Sequence, residues 1–171
     1  AAARNRGADR AGGDVLVFVD ADVAVHPDTL GRVEHHLSRH PEVDALFGSY
    51  DDSPPAPGLA SAYKNLLHHD THQRSRRDAS TFWAGCGAIR REAFRTSGGF
   101  DPRFTRPSIE DIELGVRLRR LGYRVWSCPD VQATHLKGWT LGGLLHTDIV
   151  SRAVPWTRLI VRTGSLPNDL N

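Results

Sequence analysis

The sequence has no apolar run near the roughly 20 residues that a membrane-crossing helix needs, and its opening, AAARNRGADR, lacks the apolar core of a signal peptide. A soluble chain is the expectation from those two absences. Cysteine is scarce: Cys86 and Cys128 stand in unrelated contexts and form no CxxC or paired framework. That excludes a disulfide scaffold and suits buried thiols in a reducing, cytoplasmic compartment. There is no basic block either. The net charge is +2, with arginines scattered among acids, so composition gives no support to a nucleic-acid partner, while a local anion site stays open. Internal repeats and low-complexity tracts are also missing. What is present, 171 residues of which 39% are hydrophobic and 25% charged, is the balance of one domain with a single core.

Val15 to Val19 is an unbroken apolar run, predicting a strand buried on both faces of a parallel sheet and ending in Asp20-Ala21-Asp22. Ligands of such sheets sit beyond the carboxyl ends of the strands. Pro27 and Asp28 open a helix with Leu30, Val33 and Leu37 at helical spacing, and Pro41 closes it. Val43 to Tyr50 reads as a strand, DDSPPAPG (51–58) as a turn-rich loop, and the region of Leu59, Tyr63 and Leu66 as a helix, followed by a polar segment from His68 to Ser80. Phe82 to Ile89 reads as a strand against which a ligand lies closely, with Gly98-Gly99-Phe100 as a turn. Ser108 is placed to cap a helix running to about Arg120 and stopped by Gly122; Tyr123 to Ser127 returns as a short strand. From His135 onward the chain is helical and rich in Trp and Leu, apolar enough to rest on a membrane face or a missing domain, and Gly164 to Asn171 is a polar tail.

Two carboxylates one residue apart at a strand end can both approach a divalent cation, and hard oxygen donors suit Mg²⁺ or Mn²⁺ bridging a diphosphate. In isolation Asp20 and Asp22 would equally well begin a polar turn. Glu110 and Asp111 sit in the first turn of a helix, where acids are favoured by the dipole and where Ser108-x-x-Asp111 doubles as a capping box; if Asp111 faces a pocket, it can take a proton from a hydroxyl. Arg4 and Asn5 are minor candidates for phosphate or base edges. His135, Lys137 and Trp139 bring an imidazole, an ammonium and an aromatic plate together after a strand, for metal ligation, phosphate neutralisation and sugar stacking. His68 and His72 have the spacing of a zinc pair, but no Glu stands beside the first, and their charged surroundings predict a solvated face.

Taken in order, RNRG, the strand ending DAD, FWAGCGAIRREAF, GGFD, SIEDIELGVRLRRLGY and HLKGWT together resemble the glycosyltransferase family 2 pattern across most of the chain. The resemblance implies the GT-A fold, a Rossmann-like α/β sandwich expected here with a mostly parallel central sheet, and inverting transfer of a sugar from a nucleotide diphosphate donor to a hydroxyl acceptor. It implies Asp20 and Asp22 as the DxD of donor and metal, Asp111 as the catalytic base with Glu110 beside it, Trp83, Gly85 and Cys86 as lining of the sugar and acceptor pocket, and His135 as a further metal ligand. His135 to Trp139 matches the ends of the QxxRW of processive members, but Gly138 stands where they have Arg, which argues against polymer synthesis. Family members open with a nucleotide-binding strand that nothing before Ala1 supplies, so the chain is expected to be part of something longer.

The expected division is a GT-A-like core at 1–138 and a C-terminal helical, membrane-proximal segment at 139–171, with lipid-linked and polysaccharide acceptors both open. The expected location is the cytoplasm, extending to the cytoplasmic face of a membrane. Two other readings compete: a sugar-phosphate nucleotidyltransferase, which also uses metal-bound acids on such a sheet, and a non-catalytic module binding a partner through its Trp-rich end.

Overall fold

The computed structural model describes residues 1–164, so most of the polar tail, 165–171, lies outside the described residues. Helix α1 (Ala2–Arg10) leads into β1 (Val15–Val19), β2 (Val23–Val25), α2 (Thr29–Arg39), β3 (Ala45–Tyr50), α3 (Leu59–Arg74), β4 (Cys86–Arg90), α4 (Arg91–Thr96), α5 (Glu110–Arg120) and β5 (Val125–His135). A helical run closes the described chain: α6 (Leu141–His146), a π-helical segment (Thr147–Ala153) and α7 (Val154–Thr163).

The five strands form one sheet in the order β1-β4-β3-β5-β2. The expected mostly parallel sheet is not found: only β3 and β5 run parallel, and the other three pairs are antiparallel. The reason lies in how the chain reaches β4. Helix α3 carries it away from the carboxyl end of β3, the segment after α3 touches the start of β5 through the Asp78–Trp126 bridge, and residues 81–85 bring it back to the end of β1, where Asp20 N–H donates to the Gly85 carbonyl at 3.1 Å. Two traverses return the chain to the end it left, so β4 must run against β1 and β3.

Strand β1 is likewise not buried on both faces. It is an edge strand paired with β4 alone, and its side chains alternate: Leu16 and Phe18 are buried while Val17 and Val19 are 38% and 43% exposed. Phe18 packs on Phe94 and Phe100 at ring separations of 5.4 and 5.1 Å. From the end of β1, three residues, Asp20 to Asp22, take the chain over the sheet's carboxyl end to β2, which pairs with the last residues of β5, Val23 opposite His135. Both acids are thereby laid across the crevice rather than along one strand.

Three further expectations change. Phe82 to Gly85 is a turn, and the strand starts only at Cys86. Strand β5 runs on for 11 residues, past a register shift opposite Gly48; a Cβ on Gly48 would lie 1.9 Å from the Val131 carbonyl oxygen, so glycine permits that pairing. Ser108 does not cap α5. Its hydroxyl donates instead to the Ser151 carbonyl at 2.8 Å, an acceptor that the π-helical segment brings alongside, while the first-turn N–H of Ile112 is taken by Asp111 Oδ1 at 2.8 Å.

Helix α3 is turned opposite to its apolar pattern. Leu59, Tyr63, Leu66 and Leu67 are exposed, and Ser61, Lys64, Asn65, His68 and His72 are buried. The solvated face expected for His68 and His72 is therefore an inner face, because β3 and the turn at Trp83 present aromatic rings for the imidazoles to pack on: His72 lies 4.7 Å from Trp83 and 5.7 Å from Phe47. The C-terminal run is partly absorbed too. Leu144 and Leu159 are buried, and Trp156 and Leu159 pack on Ile109 and Ile112 of α5, whereas Leu141, Leu145 and Val154 remain exposed.

Candidate active site

A cleft of about 610 Å³ opens at the carboxyl end of the sheet, lined by Asp20, Asp22, Tyr50, Trp83, Glu110, Asp111, His135, Lys137 and Trp139 among others. Three distant parts of the chain, the β1–β2 crossing, the start of α5 and the end of β5, converge there.

Arg4 joins two of them. Its guanidinium donates to Asp20 Oδ1 and, at 2.7 Å, to Glu110 Oε1. Glu110 also accepts the Ser108 N–H at 2.8 Å and is 5% exposed, so its charge is matched on both oxygens. Asp22 is freer: its carboxylate is 43% exposed and its nearest cation-capable neighbour is His135 Nε2 at 3.7 Å.

His135 is tightly framed. Its Nδ1 lies 2.6 Å from Asn65 Oδ1, and its ring is stacked on Tyr50 at 4.3 Å with an interplanar angle of 4°. Burial lowers the imidazole pKa against the pull of Asp22, so the ring is neutral at pH 7. With the Nδ1 hydrogen given to Asn65, the Nε2 lone pair faces Asp22, the orientation a metal-binding histidine takes when its other nitrogen is held by a carbonyl oxygen. Asp22 and this neutral imidazole nitrogen are donors that suit Mn²⁺ or Mg²⁺, while Asp20 beside them is turned to Arg4. Burial, reinforced by Asp20 and Asp22, pushes the Tyr50 hydroxyl far above its usual range, so it stays a neutral phenol.

Asp111 faces the same cleft from α5. Burial, then the charge of Glu110, raises its pKa to about 6, while Arg152 and the N–H groups of Ala84 and Ile112 hold it down. The Ala84 N–H reaches Asp111 Oδ2 at 3.2 Å. That contact depends on Gly115, one turn later on α5: a Cβ there would sit 2.0 Å from the Phe82 nitrogen, so only glycine lets the helix lie on the Thr81–Phe82 backbone. Above pH 6 the group is an ionised carboxylate lining the cleft, suited to accept a proton.

The remaining residues singled out from sequence divide. Trp83 walls the cleft, edge-on to Tyr50 at 4.8 Å, and Gly85 lies directly beneath its indole, where a Cβ would come within 2.4 Å of the ring. Cys86 is buried in β4, its thiol pushed up to about 11 by burial, and does not line the cleft. Lys137 Nζ sits 4.1 Å from the Trp139 ring centre, a cation–π pair at the rim. Asn5 is elsewhere: its amide both donates to the Phe100 carbonyl at 2.7 Å and accepts the Phe100 N–H at 2.9 Å, which fixes the Gly98–Gly99 turn. Sequence reasoning missed Tyr50, Asn65, Lys64, His68 and Arg152 of the cleft wall. The readable signal for three of them was the helical spacing of Ser61, Lys64, Asn65, His68 and His72 along one face of α3.

The sequence profile of glycosyl transferase family 2 matches residues 1–98, more than half of the chain, and covers the β1 acids and the Trp83 turn. The chain belongs to glycosyl transferase family 2. No curated protein matches it significantly. Among solved structures, the family-2 chain is similar to the mannosyltransferase PcManGT from Pyrobaculum calidifontis in complex with GDP-Man and Mn²⁺, with a TM-score of 0.62 and 22% identity over 98% of this chain and 45% of that one. It is also similar to GalNAc-T7 with UDP, GalNAc and Mn²⁺, with a TM-score of 0.59 and 20% identity over 87% of this chain and 34% of that one. At these identities the likeness is one of fold, α/β of the GT-A type. The chain spans less than half the length of either neighbour.

Proposed function

We propose that this family-2 chain carries the catalytic core of an inverting, metal-dependent glycosyltransferase that moves a sugar from a nucleotide diphosphate donor to a hydroxyl acceptor. The observation that carries the reading is the pairing, in one cleft, of a carboxylate–imidazole pair (Asp22, His135), with Asp20 beside it held by Arg4, and a separate, half-buried carboxylate, Asp111, whose pKa is raised to about 6. The two solved structures contain nucleotides or nucleotide-sugars with Mn²⁺, which supports the same assignment.

Asp20, Asp22 and His135 would hold Mn²⁺ or Mg²⁺, whose charge neutralises the diphosphate as it departs. Asp111 takes the proton of the acceptor hydroxyl at its carboxylate, so that the oxygen attacks the anomeric carbon from the face opposite the diphosphate and inverts it. Glu110, paired with Arg4 and the Ser108 N–H, stands beside Asp111 and helps raise its pKa, after burial. Arg4 fixes the distance between the donor acids and the start of α5. Trp83 excludes water beneath the sugar, and the Lys137–Trp139 pair offers a charged, flat rim to the donor.

Residues 1–138 form the catalytic core in this reading, and the segment from 139 is a helical cover with a peripheral, cytoplasmic-side membrane contact. Among the described residues no helix is long and apolar enough to cross a membrane. The contact is supported by Leu141, Leu145, Ile149, Val150, Val154 and Val161, all between 44% and 78% exposed.

Incubating the intact protein with Mn²⁺ and a panel of nucleotide-sugars tests the reading. Release of UDP or GDP is expected. Pyrophosphate as the product would identify a nucleotidyltransferase instead, and nucleotide binding without turnover, across donors and acceptors, would leave a binding module.

A further inference from the structure

Arg152 stands apart from Arg4, Lys64 and Lys137 around the cleft. Arg4 is matched by Asp20 and Glu110, and Lys64 by Asp148 at 2.5 Å, while Lys137 rests on Trp139. Arg152 is half-buried, and among the described residues no carboxylate lies within ion-pair distance of it. Its hydrogen-bond partner is a neutral ring, His68, whose Nε2 is 3.2 Å from Arg152 Nη1. His68 is 8% exposed, and burial, reinforced by the neighbouring Arg152 charge, keeps it unprotonated. Its Nε2 therefore accepts the guanidinium N–H, and its Nδ1, which then carries the hydrogen, is buried without a partner.

This arrangement orients a positive charge without neutralising it. Removing a guanidinium from water without a counter-charge is unfavourable, and His68 restores one hydrogen bond but none of the charge balance. The backbone supports the same reading. Arg152 lies in the π-helical segment Thr147–Ala153, a geometry frequently met at functional sites, and the segment is tied down at two points just before the residue: Ser108 Oγ to the Ser151 carbonyl at 2.8 Å, and Lys64 to Asp148. Ser108 adjoins Glu110 and Asp111, so the guanidinium stands between that wall of the cleft and α3, and its charge acts on Asp111 as well as on Tyr50. The donor acids at the β1–β2 crossing already have Arg4.

We propose that Arg152, aimed by His68, binds an oxyanion carried by the acceptor, a phosphate group that fits the fork of a guanidinium, so that the acceptor is anionic near the hydroxyl or oxygen that Asp111 serves. This rests on the glycosyltransferase reading above. Two neighbours complete the receptor: the Arg106 side chain, which lines the same wall, and the Lys64–Asp148 pair, which holds the π-helical segment against α3. His68 acts through Arg152 and is a positioning residue.

The donor's own diphosphate is a second source of the same chemistry, and the test separates them. The intact protein is loaded with Mn²⁺ and saturating GDP or UDP, and methyl phosphate is titrated in by calorimetry. Methyl phosphate is expected to bind the loaded wild type, with affinity reduced about tenfold or more in Arg152→Gln, a smaller factor in Arg152→Lys, which keeps the charge but loses the fork, and several-fold in His68→Phe, while nucleotide affinity changes less than twofold. Circular dichroism and melting of each variant establish that it is folded. Overturning results are a tenfold loss of nucleotide affinity in Arg152→Gln, which would give this cation to the donor diphosphate, or methyl phosphate binding that is absent in the wild type or unchanged in the variant. Failure of the nucleotide itself to bind with Mn²⁺ would count against the glycosyltransferase reading, and is seen in the loading step before any phosphate is added.

Discussion

The Nδ1 of His135 and the Oδ1 of Asn65 are 2.6 Å apart in a buried site, joining the end of β5 to the inward face of α3. The bond selects the tautomer of a histidine whose other nitrogen looks at Asp22. It also leaves Asn65 Nδ2 buried without a partner, a donor facing the cleft wall with spare capacity.

Asn65→Leu is expected to weaken Mn²⁺ binding by about 10–100-fold, the range for losing such an outer partner, and to lower stability by about 1–3 kcal/mol because Nδ1 loses its acceptor. Asn65→Asp, which keeps the acceptor oxygen, should recover most of the metal affinity. Manganese titration followed by electron paramagnetic resonance reads this directly; equal affinities in the wild type and Asn65→Leu would remove Asn65 from the site.

Asp111 ties rate and stability to pH with opposite signs. Its pKa rises from 3.8 to about 6 on folding, so between those values the folded chain holds a proton that the unfolded chain has lost. Stability from this residue is therefore greatest at low pH and declines as pH rises through that window, by up to about 3 kcal/mol at two pKa units. Turnover needs the ionised form and should rise with pH through about 6. Asp111→Asn should lower turnover on the order of 10²–10⁴-fold with donor and metal binding retained, and at pH 7.5 it should melt no lower than the wild type. Near-normal turnover in a folded Asp111→Asn protein would move the base to Glu110.

Arg4 should show a different pair of opposed effects. Arg4→Met leaves Glu110 buried with only the Ser108 N–H and should cost about 1–3 kcal/mol of stability, the lower part of the range for breaking a buried pair because Arg4 is 26% exposed. The same change frees Asp20 of its competing cation, so Mn²⁺ affinity should increase. Thermal melts and metal titration on one preparation check both signs, and a fall in metal affinity would show that Arg4 orients Asp20 rather than competing for it.

The C-terminal run separates packing from contact. Trp156→Ala should lower stability by about 2–4 kcal/mol, since Trp156 packs on Ile109 and Ile112, whereas Leu145→Ser with Ile149→Ser and Val161→Ser should leave the melting temperature within a few degrees and reduce co-flotation with phosphatidylglycerol vesicles. Unaltered flotation of the triple variant would rule out these side chains as the membrane contact.

The parts of the site legible in the sequence were those with a local signature. A five-residue apolar run ending in two acids places Asp20 and Asp22 at a strand end whatever the sheet direction, and Asp111 falls in a first helical turn by spacing alone. Strand direction was not legible, because it depends on residues 75–85 returning to the sheet's carboxyl end, and that segment has no periodicity. The orientation of α3 misled for a physical reason. Apolar spacing at Leu59, Tyr63 and Leu66 signals an inward face only when the helix packs on a dry core, and here the inner side borders a polar cleft, across which Lys64 reaches Asp148 and Asn65 reaches His135. Ser108 misled because a cap is a competition: the carbonyl of Ser151, 43 residues away, supplied an acceptor that local sequence could not reveal.

The contact of Gly115 with the Thr81–Phe82 backbone puts the Asp111 carboxylate under main-chain control. A helix seated on another segment's peptide atoms, with no side chain between them, has its height set by covalent geometry rather than by the volumes of core residues. A single methyl group at residue 115 must therefore lift the helix, and with it Asp111 and its 3.2 Å approach to Ala84, off the Thr81–Phe82 backbone.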